Sequence, residues 1–266
     1  MKIGFIGIGN MGGAILKGYI LANQKKAEDV FAFDADGEKL QRLSGQLHFH
    51  PCGSIEELVG LCDVTVLAVK PNIYDVILPH VKKAMTKEKV ILSVAAGISM
   101  DYIEQAVGIG TKIVRIMPNT PALVQEGMTA VFHNQHVSHE ELSCIMEIIE
   151  SIGKAKSLDE SLIHTVIGVS GSSPAYVYMF IDALIEGAVK NGMDRELAKT
   201  FAAQSVLGAA KMVLETGEAP SKLRDDVCSP GGTTIEAVYQ LQDNGFCQNV
   251  ISGMEAAIEK SKKMTK

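Results

Sequence analysis

The sequence predicts an α/β fold: a doubly wound parallel sheet over the first part of its 266 residues, then an all-α domain. Three observations predict it. Short β-rich runs alternate with helical patterns up to residue 157, glycines crowd the junction between the first such run and the first helix, and beyond residue 157 only helical patterns remain.

In chain order the β-rich runs are KIGFI, VFAF, VTVLAV, KVILSVA, TKIVRIM and MTAVFH. Between them, Ser54 with Glu57 and Ser138 with Glu141 have the three-residue spacing of a capping box, which marks two helix starts where the alternation requires helices. After KAKSLD, helical patterns run from Pro174 to Asn191 and from Arg195 to Thr216, the latter closed by Gly217. The composition shift divides the chain into expected domains 1–157 and 158–266. The second is rich in alanine and methionine, with more apolar residues than one face of each helix can bury. A single copy leaves apolar surface bare, so a homodimer through this domain is expected.

Composition narrows the partners. Apolar residues make up 47% of the chain, enough for a substantial core, and the formal charge is −6. Only four arginines occur (Arg42, Arg115, Arg195, Arg224), so there is no basic stripe for nucleic acid or anionic lipid, and a small molecule is the expected partner. The five cysteines form no CxxC and no metal-ligand spacing, which fits free thiols in a reducing compartment and no metal site. The apolar N-terminus is cut by Gly7 and Gly9, and the apolar residues from Ile163 to Val189 are broken by Gly171, Pro174 and Asp182. Neither export nor membrane insertion is expected, and the expected location is cytoplasmic.

The glycine cluster explains itself as a binding turn. Gly7, Ile8, Gly9, Asn10, Met11 and Gly12 form GxGxxG directly after a strand and at the start of a helix. Gly7 permits the tight turn, Gly9 lets a pyrophosphate approach the backbone, and Gly12 lets the helix pack closely on the sheet, so that the helix N-terminus faces the phosphates. A dinucleotide is the expected guest. Asp34 ends the next strand, 22 residues beyond Gly12. Its carboxylate can accept from the adenosine ribose hydroxyls and repels a 2′-phosphate, for which residues 34 to 41 offer no arginine, so NADH is the preferred cofactor and NADPH a second one. Asp34 or Asp36 can also serve as a helix cap, and the two roles can coexist.

Ligands of open α/β sheets collect outside the carboxyl ends of the strands. Three further loops lie there: AVKPN with Ala68, Lys70 and Pro71, VAAGI with Ala95 and Gly97, and RIMPNTPA with Asn119. Lys70 and Asn72 can reach a ribose or nicotinamide, and Asn119 offers an amide donor and acceptor. Far downstream, CSPGGTTIEAV (228–238) combines a proline, two glycines and two threonines ahead of a helix. Such a turn either caps its helix or forms a nest of backbone N–H donors for a carboxylate.

IGFIGIGNMGGAI, AVKP, SVAAGI, RIMPNTPA, GSSPAYVYMFIDAL and DDVCSPGGTTIEAV follow one another in the order of the motifs of the pyrroline-5-carboxylate reductase family, which the chain resembles over nearly its whole length. The resemblance implies an N-terminal Rossmann domain, an all-helical dimerisation domain and often a ring of dimers. It implies that Ser229, Gly231, Gly232 and Thr233 cradle the substrate carboxylate and that Thr234 directs its hydroxyl at the ring nitrogen. The reaction it implies moves a hydride from NAD(P)H to a cyclic imine and yields L-proline, with no metal or covalent nucleophile. One departure concerns the cofactor: many relatives place Asn or Ser followed by Arg where this chain has Asp34, Ala35 and Asp36.

Two other readings stand beside it. One is a two-domain dehydrogenase acting on an acyclic imine or a β-hydroxy acid through a lysine of the helical domain, with Lys190 and Lys199 available. The other is a non-enzymatic dimer that senses the dinucleotide. The cysteines, His48, His50, His164, Tyr176 and Tyr178 receive no role in the site.

Overall fold

A computed structural model describes residues 1–22 and 24–265. Eight strands form one sheet in the order β3-β2-β1-β4-β5-β6-β7-β8. They are β1 (Ile3–Ile6), β2 (Val30–Phe33), β3 (His50–Pro51), β4 (Val64–Leu67), β5 (Val90–Ser93), β6 (Lys112–Met117), β7 (Gly127–His133) and β8 (Gly153–Ser157). The six predicted runs all appear as strands. The central ones read clearly because both faces are covered: every residue of β1, β4 and β5 is buried.

The sheet is parallel from β3 to β6, but β7 runs antiparallel to β6 and β8 parallel to β7. The expected doubly wound, predominantly parallel sheet forms, and its one antiparallel pairing follows from the length of one connection. A parallel return needs a crossover of a dozen or more residues, usually a helix. Between β6 and β7 lies only a short segment with a 3-10 turn at Thr120–Val124, opened by prolines, so the chain doubles back.

The first half carries α1 (Asn10–Ala22), α2 (Gly37–Leu47), α3 (Ile55–Leu61), α4 (Tyr74–Ala84), α5 (Met100–Val107) and α6 (His139–Glu150), followed by the single turn α7 (Ile163–Val166). Alternating residues of each strand face two separate cores. Val64, Val66, Val90, Leu92 and Val114 pack with Ile15, Leu16, Ile145 and Ile148 of α1 and α6. Leu67, Ile91 and Ile113 pack with Leu58, Tyr74, Leu78 and Ile103 of α3, α4 and α5. Both predicted caps form. Ser138 and Glu141 make the reciprocal box, whereas Ser54 accepts from Glu57 N while the Glu57 carboxylate turns to Gly53 N at 2.8 Å.

Cys52 and Cys62 sit in the second core, and burial pushes their thiols up to about 11 and about 12. The thiolate is the reactive form. Both are expected to resist a thiol-labelling reagent in the folded protein and to label once denaturant unfolds it. Peptide mapping of a labelling time course checks this, and rapid modification of either in the folded state contradicts it.

By its internal contacts the chain divides into Met1–Gly171 with Ala257–Lys266, and Ser172–Ala256. Strands end at Ser157, where the composition shifts, but Ile163 and Val166 of α7 are still buried in the second core, which keeps the next residues with the sheet. The second unit is helical: α8 (Ser173–Lys190), α9 (Arg195–Thr216), α10 (Pro220–Val227), α11 (Thr233–Asp243) and most of α12 (Phe246–Met264). Asp194 caps α9 through Glu196 N and Leu197 N, and Gly217 ends it in the left-handed conformation. Among the described residues this unit buries Ile185, Ala198 and Ala202 as its core, while Phe201 is 60%, Met179 73% and Leu214 83% exposed. A groove of about 710 Å³ runs between α8, α11 and α12, lined by Tyr176, Phe180, Leu184, Leu241, Phe246 and Val250. No described helix is long and apolar enough to cross a membrane.

Candidate functional site

Strand order around β1 reverses direction: the chain goes outward to β2 and β3, then returns to β4 on the other side. That reversal opens a crevice at the carboxyl ends of β1 and β4, the position where doubly wound sheets bind ligands. A cleft of about 420 Å³ lies there, lined by Gly9, Asn10, Met11, Ala68, Val69, Lys70 and Val94. Five residues selected from the sequence therefore meet in one place, and Val69 and Val94 join them as apolar walls that single-residue chemistry does not reveal.

The three motif glycines differ in what constrains them. Gly7 has φ +90°, and a Cβ there would meet Val69 Cγ1 at 2.8 Å and Ala68 O at 2.9 Å. At Gly12 a Cβ would collide with Gly7 O and lie 2.8 Å from Ala68 Cβ, so helix α1 touches the turn and the neighbouring strand end. At Gly9 nothing beyond the chain neighbours lies within 4 Å of such a Cβ. Two glycines serve the protein's own packing, and the third faces open space. The first turn of α1 has no acidic residue to oppose an anion at its free N–H groups.

Asp34 follows β2 and is tied to this turn. Its Oδ2 accepts from Ile8 N at 2.8 Å, and its Oδ1 accepts from Asp36 N at 2.9 Å. Lys39 Nζ lies 2.9 Å from Oδ2. Burial acts to raise the Asp34 carboxyl, but the Lys39 ammonium and the two backbone donors outweigh it and hold the group below its ordinary value. Asp36 takes the capping role, accepting from Lys39 N at 2.9 Å. Sequence reasoning missed Lys39. The signal was present, because an N-cap at Asp36 puts residue 39 at the third position of the helix, beside the strand end.

The remaining first-domain residues are placed less uniformly. Pro71 opens a short 3-10 turn after Lys70. Ala95 is buried, and Gly97 has φ +78° with Met264 O close by, 2.9 Å from where a Cβ would stand. The Asn119 amide is already engaged: Nδ2 donates to Ser170 O at 3.2 Å, and Oδ1 accepts from Met128 N at 2.9 Å. Those bonds secure the loop after β6 to β7 and to the π-helical turn Ile167–Gly171.

In the second unit, residues 228–232 form the turn between α10 and α11. Gly231 has φ +67°, and Gly232 N donates to Ser229 O at 3.0 Å. A Cβ at Gly232 would collide with Ser229 Oγ, so the turn is folded tightly on its serine. Gly232 is the N-cap of α11 and supplies no side-chain cap, which leaves the N–H groups of Thr233, Thr234 and Ile235 available. Thr234 is half-buried in that first turn, and the exposed Glu236 is its acidic member. The glycine turn thus leads into a helix start whose backbone donors carry no side-chain cap, with Thr234 in its first turn. Lys199, the alternative catalytic lysine, is exposed and pairs with Glu196 at 2.9 Å.

A glycine-rich turn at the switch point of a doubly wound sheet, followed in the chain by an all-helical unit, is the architecture of two-domain oxidoreductases that use a nicotinamide cofactor. Residues 160–264 match the family described as pyrroline-5-carboxylate reductase dimerisation, and residues 2–97 match the one described as NADP oxidoreductase, coenzyme F420-dependent. Over 265 residues the chain is 46% identical to a pyrroline-5-carboxylate reductase of Escherichia coli (strain K12), covering 100% of this chain and 98% of that one. Among solved structures, a pyrroline-5-carboxylate reductase from Coxiella burnetii superposes with a TM-score of 0.94 at 33% identity, covering 100% and 98% of the two chains. The Plasmodium falciparum pyrroline carboxylate reductase with NADP bound gives 0.89 at 36%, with the same coverage. The chain belongs to the pyrroline-5-carboxylate reductase family.

Proposed function

We propose that the chain reduces 1-pyrroline-5-carboxylate to L-proline with NAD(P)H, the last step of proline formation. The observation that carries this reading is the full-length similarity to reductases of that name, at up to 46% identity, and the cleft at the glycine-rich turn and the uncapped start of α11 support it.

A bound nicotinamide supplies the hydride that reduces the C=N bond. The chain's part is to bind and orient. The free N–H groups of α1 hold the pyrophosphate, Gly9 admits it, and Asp34 accepts from the adenosine ribose. Ala68 and Lys70 border the same cleft, while Pro71, Ala95, Gly97 and Asn119 shape the loops beside it. Ser229, Gly231, Gly232 and Thr233 hold the substrate carboxylate against the N-terminus of α11. Thr234 directs its hydroxyl at the imine nitrogen. An alcohol is a weak acid, so its contribution is orientation more than proton supply.

NADH is proposed as the better cofactor, because Asp34 opposes a 2′-phosphate and retains acceptor capacity for a ribose hydroxyl. The domains proposed to divide this work are 1–157 and 158–266. The bare apolar faces of the helical unit and its match to a dimerisation family support a homodimer, and a ring of such dimers is proposed as the larger assembly. A cytoplasmic location is proposed on the same kinship.

Following NADH and NADPH oxidation with 1-pyrroline-5-carboxylate tests the reading. The expected result is imine-dependent oxidation of both, with the higher kcat/KM for NADH and L-proline as product. Binding without turnover assigns the chain to dinucleotide sensing instead. Turnover only of acyclic imines or β-hydroxy acids assigns it to the other dehydrogenase class, and a strong NADPH preference overturns the role given to Asp34.

A further inference from the structure

We propose that Lys39 sets the cofactor range of this site: its ammonium serves a 2′-phosphate when one is present and Asp34 when none is. The inference rests on the dinucleotide reading above and adds the residue that decides between the two coenzymes.

Helix geometry places the ammonium. Asp36 caps α2 by accepting from Lys39 N, which puts Lys39 in the first turn beside the carboxyl end of β2. Its Nζ lies 2.9 Å from Asp34 Oδ2, and its side chain borders a second cleft of about 400 Å³ whose walls include Ile8, Gly9 and Asn10 of the glycine turn. The cation therefore pairs with the carboxylate proposed for the ribose, and its residue shares a cleft with the turn proposed for the phosphates.

Acceptor capacity gives this pair its function. Two carboxylate oxygens offer about four acceptor sites. Ile8 N and Lys39 Nζ use Oδ2, and Asp36 N uses one site of Oδ1. One site stays open for a ribose hydroxyl while Lys39 remains, and a second opens when Lys39 leaves. Lysine carries a compact charge on a flexible stem with three donors, so it can exchange one anionic partner for another. Toward NADH the ammonium stays on Asp34 and steadies it. Toward NADPH it turns to the 2′-phosphate and offsets the repulsion from Asp34. The carboxylate thus sets the direction of the preference, and the lysine limits its size.

Dissociation constants of NADH and NADPH, read from coenzyme fluorescence on the full-length chain, test the proposal. Lys39→Gln is expected to raise the NADPH constant at least about tenfold and the NADH constant by no more than about threefold, while K39R preserves both. In the unaltered protein, added salt is expected to weaken NADPH more than NADH, and that difference should vanish in K39Q. An unchanged ratio in a K39Q protein that melts like the parent overturns the proposal. So does equal salt sensitivity of the two coenzymes in the parent, which needs no variant to fold. Arg42 is the other cation of α2. If R42Q raises the NADPH constant and K39Q does not, the phosphate belongs to Arg42 and the proposal falls. If the parent protein binds neither coenzyme, the dinucleotide reading falls with it.

Discussion

Gly9→Ala is expected to melt at the temperature of the parent protein and to lose at least about tenfold in affinity for NADH and NADPH alike, a change near 1.4 kcal/mol. The reason is the emptiness around that position. Beyond its chain neighbours, no atom lies within 4 Å of a Cβ built there, so a methyl group meets no packing partner in the unliganded chain. On the proposed reading it stands instead where a pyrophosphate approaches the backbone. Gly12→Ala supplies the contrast, because its methyl group collides with Gly7 O and crowds Ala68 Cβ. Overpacking against a rigid partner costs about 1–3 kcal/mol, and each kcal/mol lowers the melting point of a domain this size by roughly 2–4 °C. Calorimetry and fluorescence titration on the two variants separate a ligand-facing glycine from a packing glycine. Unaltered coenzyme binding by G9A removes the turn from the site.

Thr234→Ala is expected to lower kcat for imine reduction at least about tenfold while the KM for 1-pyrroline-5-carboxylate moves little. The proposed carboxylate site consists of backbone N–H groups at the start of α11, and the substitution leaves them in place. What disappears is the hydroxyl proposed to orient the imine nitrogen. Thr234→Ser keeps the oxygen and is expected to recover most of the rate. Equal kinetics for the alanine variant and the parent would strike Thr234 from the mechanism. A rise in KM with constant kcat would reassign it to carboxylate binding.

Much of this arrangement is legible in the sequence where local pattern and burial agree. The central strands are recognisable because each is covered on both faces and so is apolar throughout. The edge strands are not. His50–Pro51 has two residues, and Gly153–Ser157 carries two lysines on a largely exposed ribbon. Short or charged strands at a sheet's border discourage pairing with another chain, and the same features hide them from a search for apolar runs. The dinucleotide turn was legible because its constraints lie within six residues. The Asp34–Lys39 pair joins a strand end to the next helix, where neither a period of two nor one of 3.6 applies. The ties of Asn119 escaped for a plainer reason: Ser170 is 51 residues away.

The helical unit has a further consequence for how this polypeptide matures. Three buried side chains are a small nucleus for 85 residues counted from Ser172 to Ala256, and most apolar side chains there wait for a cover that the chain itself does not supply. When stability comes from association, it depends on how much protein is present. Newly made chains at low abundance are therefore expected to be less stable than chains at high abundance, where mates are plentiful.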